Sequence, residues 1–306
     1  MLHRCSRWLG QLGGRVFEPG LALGEEAKGE EGKGATMKTN YILYDVSDKI
    51  AVITLNRPEA ANAQNMALLD DLDEAWMRAA EDDDVRVIVL RANGKHFSAG
   101  HDLKGSSSQP DRKLTLAGIY ASESRRYLEY TLRWRNVPKP SIAAVQGACI
   151  AGGLLLCWPC DLIIAADNAR FSDPVVSMGI GGVEYHGHTW ELGARKAKEL
   201  LFTGRSMTAQ EAEQAGMVNR TVPLDKLYEE TMALAAQIAE RHPFALRQAK
   251  RAVNQTLDVQ GFYAAIQAVF DAHETGHGHA LSEVGYPVLM MLEEMKTQIK
   301  QSAPQA

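Results

Sequence analysis

Two glycine-bearing turns, each fed by an apolar run, constrain this chain more than any other feature. The first is Phe97-Ser98-Ala99-Gly100-His101-Asp102-Leu103, after Val87-Ile88-Val89-Leu90. The second is Gly147-Ala148-Cys149-Ile150-Ala151-Gly152-Gly153, after Ile142-Ala143-Ala144-Val145, and it opens into an apolar helical stretch from Leu154 to Trp158. Small residues let a ligand oxygen approach backbone N–H groups. A helix start adds unpaired N–H groups and partial positive charge. Two such groups, one from each turn, would form an oxyanion hole, commonly the largest single catalytic contribution.

The rest of the pattern reads as a frame for these turns. Ile42-Leu43-Tyr44 and Ile50 to Leu55 read as strands. Met66 to Ala80 is an amphipathic helix with Leu68, Leu69, Leu72, Trp76 and Ala79 on one side. A strand from Val85, a Ser-rich loop (Ser106 to Ser108), a helix from about Leu114 to Trp134 and the strand Ser141 to Val145 follow. After the second turn comes the strand Leu162 to Ala166. This recurring strand–strand–helix order predicts stacked turns of a spiral. From Trp190 onward the chain reads as helices: Glu191–Leu201, one opened by the capping box at Thr208–Glu211, then 225–241, 243–257, 261–273 and 281–299.

The chain has 306 residues, 45% apolar and 23% charged, with a net charge of −5. That composition fits a soluble enzyme and gives no global bias toward nucleic acid or membrane. Four cysteines (Cys5, Cys149, Cys157, Cys160) suggest no disulfide scaffold and point to a reducing, cytoplasmic setting. Residues 1–36 read as a flexible extension, because Gly24 to Gly34 is polar and glycine-rich. A targeting segment carrying Arg4, Arg7 and Arg15 is the competing reading. Residues 37–240 then form the core and 241–306 the C-terminal helical region.

These motifs, taken with Leu55-Asn56-Arg57-Pro58-Glu59-Ala60-Ala61-Asn62-Ala63 and Phe202-Thr203-Gly204, resemble the enoyl-CoA hydratase/isomerase (crotonase) family across roughly residues 38 to 260. The resemblance implies an α/β fold, a crotonase-type ββα spiral core with a helical C-terminal region, assembled as a homotrimer or dimer of trimers. It implies an acyl-CoA thioester as substrate and no separate cofactor. It makes the N–H groups of Ala99 and Gly152 the oxyanion donors. It places Glu59, Ala61, Gly100, Asp102 and Leu103 along the path of the CoA moiety, with His101 at the pocket edge. Lys250 and Arg251 are candidates for CoA phosphates, or simply a solvated helix face.

Hydratases of this family use two glutamates, and the matching positions here are Leu155 and Val175. Neither side chain can move a proton, which leaves thioester binding and enolate stabilisation. The segment Gly179-Ile180-Gly181-Gly182-Val183-Glu184-Tyr185-His186-Gly187-His188 offers substitutes. Glu184 is the first candidate acid or base and His186 the second; helix capping or a subunit contact is the alternative for both. Asp173 either points into the site or stabilises the turn before Pro174.

Two motifs are set aside. Cys157-Trp158-Pro159-Cys160 ends an apolar helix, so core packing fits it better than redox or zinc chemistry. His273-Glu274-Thr275-Gly276-His277 matches HExxH, but Gly276 and Gly278 weaken the helix a zinc site requires, so no metal is expected. The expected function is hydration or isomerisation of an enoyl-CoA. The alternatives are a non-catalytic acyl-CoA-binding protein, or a CoA thioester hydrolase or C–C lyase.

Overall fold

The computed structural model describes residues 40–103 and 115–291, with 293, 294 and 297. All of them lie in one compact unit, Thr39–Ala306. The expected extension (1–36) and the Ser-rich loop fall outside the described residues.

In chain order the strands are β1 (Ile42–Ser47), β2 (Ile50–Leu55), β3 (Val87–Ala92), β4 (Ser141–Val145), β5 (Ala148–Ile150), β6 (Leu162–Ala166), β7 (Arg170–Ser172), β8 (Met207–Thr208) and β9 (Arg220–Val222). A six-stranded sheet runs β1-β2-β3-β4-β6-β9 and a three-stranded one β5-β7-β8. β1 pairs antiparallel to β2; the remaining pairs of the large sheet are parallel. Every residue of β2 and β4 is buried, as expected for parallel strands covered on both faces. Ala51, Ile53 and Leu55 join one apolar core, and the alternating Ile50 and Val52 join the other.

The helices are α1 (Met66–Glu81), α2 (Leu116–Glu123), α3 (Tyr130–Arg135), α4 (Leu154–Cys157), α5 (His188–Thr203), α6 (Ala209–Gln214), α7 (Leu227–Ala239), α8 (Pro243–Val259) and α9 (Phe262–Val284). Asn65 caps α1 by accepting from Leu68 N–H at 2.8 Å. The expected capping box at Thr208 and Glu211 is formed in full. A π-helical turn, Ser124–Glu129, joins α2 to α3.

The C-terminal region departs from the sequence reading. One continuous helix, α9, runs through Gly276 and Gly278, where a break was expected. A Cβ on Gly276 would lie 3.1 Å from Ile180 Cδ1 and 3.2 Å from Gly179 O. Gly276 is therefore a close-packing residue, not a helix breaker. Within the helix expected at 281–299, α9 stops at Val284 with Gly285 left-handed at φ 69°, and the described residues 293, 294 and 297 are helical again.

Candidate active site

β3 and β4 are parallel neighbours, so the turns that follow them leave the same end of the sheet. The two turns then dock on each other. Ser98 N–H donates to Ala148 O and Ile150 N–H donates to Ser98 O, both at 3.0 Å. Glycine is needed at this contact. A Cβ on Gly100 would sit 2.7 Å from Ile150 O, and one on Gly153 would sit 2.7 Å from Ser98 O. Ala151 adopts φ 47°, a left-handed conformation that costs a non-glycine residue about 1 kcal/mol or more.

Gln64 braces the pair, and it was not anticipated from sequence. It is 1% exposed. Its N–H donates to Gly100 O (2.8 Å) and its carbonyl accepts from Asp102 N–H (2.9 Å). Its Nε2 reaches Gly152 O at 2.7 Å. The brace brackets His101 in a parallel bridge, which turns the N–H of His101 away from Gln64.

One expected oxyanion donor is corrected. The N–H of Ala99 donates to Ala61 O at 2.9 Å, so it is already engaged. Among the described residues, no acceptor meets the N–H of His101. Gly152 lies in a 3-10 turn, Ala151–Gly153, whose leading N–H groups have no intrahelical acceptor. His101 and Gly152 are therefore the two amides left available. Ala61, left-handed at φ 51°, contributes by fixing Ala99.

The side chain of His101 is also more central than its expected place at the pocket edge. Its ring lies over Gly152: a Cβ there would come within 2.6 Å of His101 Cε1. It stacks on Tyr127, which the π-helical turn supplies, with ring centroids 3.9 Å apart. Its Nε2 is 3.0 Å from Glu184 Oε1, and its buried Nδ1 has no partner among the described residues. Glu184, expected as an acid or base from sequence, is 2% exposed.

The charges of this pair support each other. Burial works against the carboxylate of Glu184, but His101 and then His273 outweigh it and hold its pKa at about 2. Burial alone would lower His101, yet the Glu184 carboxylate raises it above 6.5. His273 lies 3.6 Å from Glu184 Oε1. Its pKa rises to about 10, because Glu184 and Glu123 overcome its burial.

His186 does not join this group. Its ring lies 4.4 Å from His188, and burial together with the charge of His188 lowers its pKa to about 4. Asp173 is a turn residue rather than a substrate contact. Its Oδ2 accepts from Val183 N–H at 2.9 Å, which anchors the loop carrying Glu184. Leu155 is 1% exposed in the core, and Val175 packs against the same core.

On the expected CoA side, Asp102 pairs with Arg57 at 2.6 Å, Leu103 is exposed and Glu59 is exposed on a 3-10 turn. Lys250 is committed elsewhere, to Asp161 at 2.9 Å and Lys139 O at 3.0 Å. Cys157 and Cys160 are buried free thiols, and burial raises both pKa values well above 9. The Sγ of Cys157 faces Cys149 at 3.8 Å inside the core.

The HExxH stretch, set aside on sequence grounds, lies beside Glu184. His273 and His277 point their Nε2 atoms at each other, 3.0 Å apart, and Glu123 Oε2 completes a triangle at 3.2 and 3.5 Å. Sequence reading missed Glu123 because it lies 150 residues from His273.

Residues 45–301 match the family model for enoyl-CoA hydratase/isomerase. The chain belongs to the enoyl-CoA hydratase/isomerase family. It is similar to the crystal structure of a probable enoyl-CoA hydratase from Mycobacterium smegmatis, with 72% identity and TM-score 0.80 over 83% of this chain and all of that one. It is also similar to a probable enoyl-CoA hydratase from Mycobacterium thermoresistibile, with 79% identity and TM-score 0.79 over 81% of this chain and 99% of that one. A Mycobacterium tuberculosis protein whose name places it among enoyl-CoA hydratases is 43% identical over 258 residues, 78% of this chain and 81% of the relative. The family's crotonase fold agrees with the spiral core and helical C-terminal region described above.

Proposed function

We propose that this protein binds an enoyl-CoA thioester and moves a proton on the carbon chain next to the thioester carbonyl. The observation that carries this reading is the convergence of the two turns on one histidine. The N–H groups of His101 and Gly152 donate to the thioester oxygen, and negative charge develops there as the enolate forms. The side chain of His101 lies over the same glycine. Glu184 takes the proton-bearing Nε2, so Nδ1 is the atom that exchanges a proton with substrate. His101 replaces the two family glutamates, whose positions hold Leu155 and Val175.

A single shuttling group is enough to take a proton from one carbon and return it to another, so isomerisation needs nothing more from these residues. Hydration needs, in addition, a group that holds water. The names of the relatives favour hydration, and the apolar Leu155 and Val175 favour isomerisation.

The test is turnover of a panel of 2-enoyl- and 3-enoyl-CoA esters by the purified protein and by His101→Asn. The expected result is turnover of at least one ester, lost in the variant while acyl-CoA binding persists. Tight binding without turnover of any ester would make the protein a carrier.

Self-association fits the same reading. None of the residues of α8 is buried, and Phe244, Val253 and Val259 are 63%, 62% and 89% exposed. Exposed apolar side chains of this kind suit burial against another copy, as in the trimer expected from sequence. Light scattering that gives a monomer mass would remove that part of the proposal.

A further inference from the structure

We propose that Glu123, His273 and His277 form a binding site for a divalent transition-metal ion of the zinc class. The claim concerns metal binding and does not depend on the acyl-CoA reading. The first argument is the tautomer. His273 Nδ1 lies 2.7 Å from Gly182 O, and His277 Nδ1 lies 2.7 Å from Pro287 O. A carbonyl only accepts, so each Nδ1 carries the hydrogen and Nε2 is the nitrogen left to bind a ligand. Those two nitrogens and a carboxylate oxygen then face one another inside the protein. Three such atoms in contact need a cation, a metal ion or a proton, between them.

The second argument is distance. Four-coordinate zinc with bonds of about 2.0–2.1 Å puts neighbouring ligand atoms roughly 3.3 Å apart. The three separations here are 3.0, 3.2 and 3.5 Å. Imidazoles that give their outer N–H to a backbone carbonyl match the usual support for metal-bound histidine.

The third argument is local construction. His273 and His277 stand one turn apart on α9, as in HExxH zinc motifs. Gly276 lets that helix approach the loop that supplies Gly182 O. Glu123 ends α2 where the π-helical turn begins, a helix distortion often found at functional sites. Glu184 Oε1, 3.6 Å from His273 Nε2, lies beside the triangle and within reach of a water in a fourth coordination position. A metal-held water there would supply the group that hydration lacks above.

The competing occupant is a shared proton, with His273 as imidazolium. The experiment is metal analysis of untagged protein, then removal of metal with chelator and titration with Co²⁺. Expected are about one metal ion per chain and the visible d–d absorption of four-coordinate Co²⁺. Both should be lost in Glu123→Gln and in His277→Gln and kept in His279→Gln, whose parent residue is exposed on the same helix. Circular dichroism checks that each variant is folded. Wild-type protein that stays metal-free and gives no cobalt spectrum would overturn the site and assign the triangle to a proton. So would a cobalt spectrum that survives in folded Glu123→Gln or His277→Gln. Neither readout depends on turnover, so a failure here is separate from a failure of the enoyl-CoA reading.

Discussion

His101 Nε2 and Glu184 Oε1 meet at 3.0 Å across 83 residues of chain, with Glu184 almost wholly buried. This pair fixes which ring nitrogen of His101 is bonded and which has no partner among the described residues. It also explains how a buried carboxylate stays ionised next to two imidazoles.

Glu184→Gln keeps the shape and removes the charge. Turnover of the preferred enoyl-CoA should fall by about 10²–10⁴-fold, the usual range for losing a general acid–base partner, while acyl-CoA affinity stays near wild type. Steady-state kinetics beside calorimetric binding measures both. Equal losses in both would mean that Glu184 organises the pocket and not the proton.

Gly152→Ala inserts a Cβ 2.6 Å from His101 Cε1. The ring must shift away from Glu184, so turnover should drop at least about 10²-fold, with a stability cost of about 1–3 kcal/mol from overpacking. Urea denaturation and kinetics on the same preparation separate the two. Wild-type turnover in this variant would show that His101 is not the shuttle.

Gln64→Leu removes the bond to Gly152 O and leaves that carbonyl buried. The expected loss is about 1–3 kcal/mol of stability, together with weaker acyl-CoA binding, because the two turns are no longer held in register. A variant as stable as wild type would mean that the turns hold each other without the brace.

Glu191 gives a pH test away from the site. Burial raises its carboxyl to about 7, and Arg135 offsets only part of that. Between about pH 4.5 and 7 the native state keeps a proton that the unfolded chain has released, so this residue's contribution to stability falls as pH rises through that window. Glu191→Gln should therefore be more stable than wild type by on the order of 1–2 kcal/mol at pH 8 and no different at pH 4. Denaturation midpoints at the two pH values measure this. A gap of the same size at both would contradict the assigned shift.

The long apolar strands and amphipathic helices were legible because their periodicity extends over several residues. β2, β4, β6 and α1 lie where Ile50–Leu55, Ser141–Val145, Leu162–Ala166 and Met66–Ala80 put them. The strands β5, β7, β8 and β9 have two or three residues each, too few for alternation to show. Gly276 and Gly278 read as breaks because propensity cannot see the loop that packs against α9. In the first turn, sequence showed where free amides must lie but not which one. Ala61 O takes the N–H of Ala99 and Gln64 brackets His101, and both partners come from a segment more than thirty residues earlier. Glu184 was legible as a carboxylate among glycines; its partner His101 was not, because only the docking of the two turns makes them neighbours.

The most direct test is a crystal structure with an unreactive acyl-CoA thioester or thioether analogue that keeps the carbonyl. The carbonyl oxygen should lie about 2.7–3.1 Å from both the His101 and Gly152 nitrogens, with His101 Nδ1 facing the adjacent carbon. An oxygen bonded elsewhere, with either amide beyond hydrogen-bonding distance, would contradict the account.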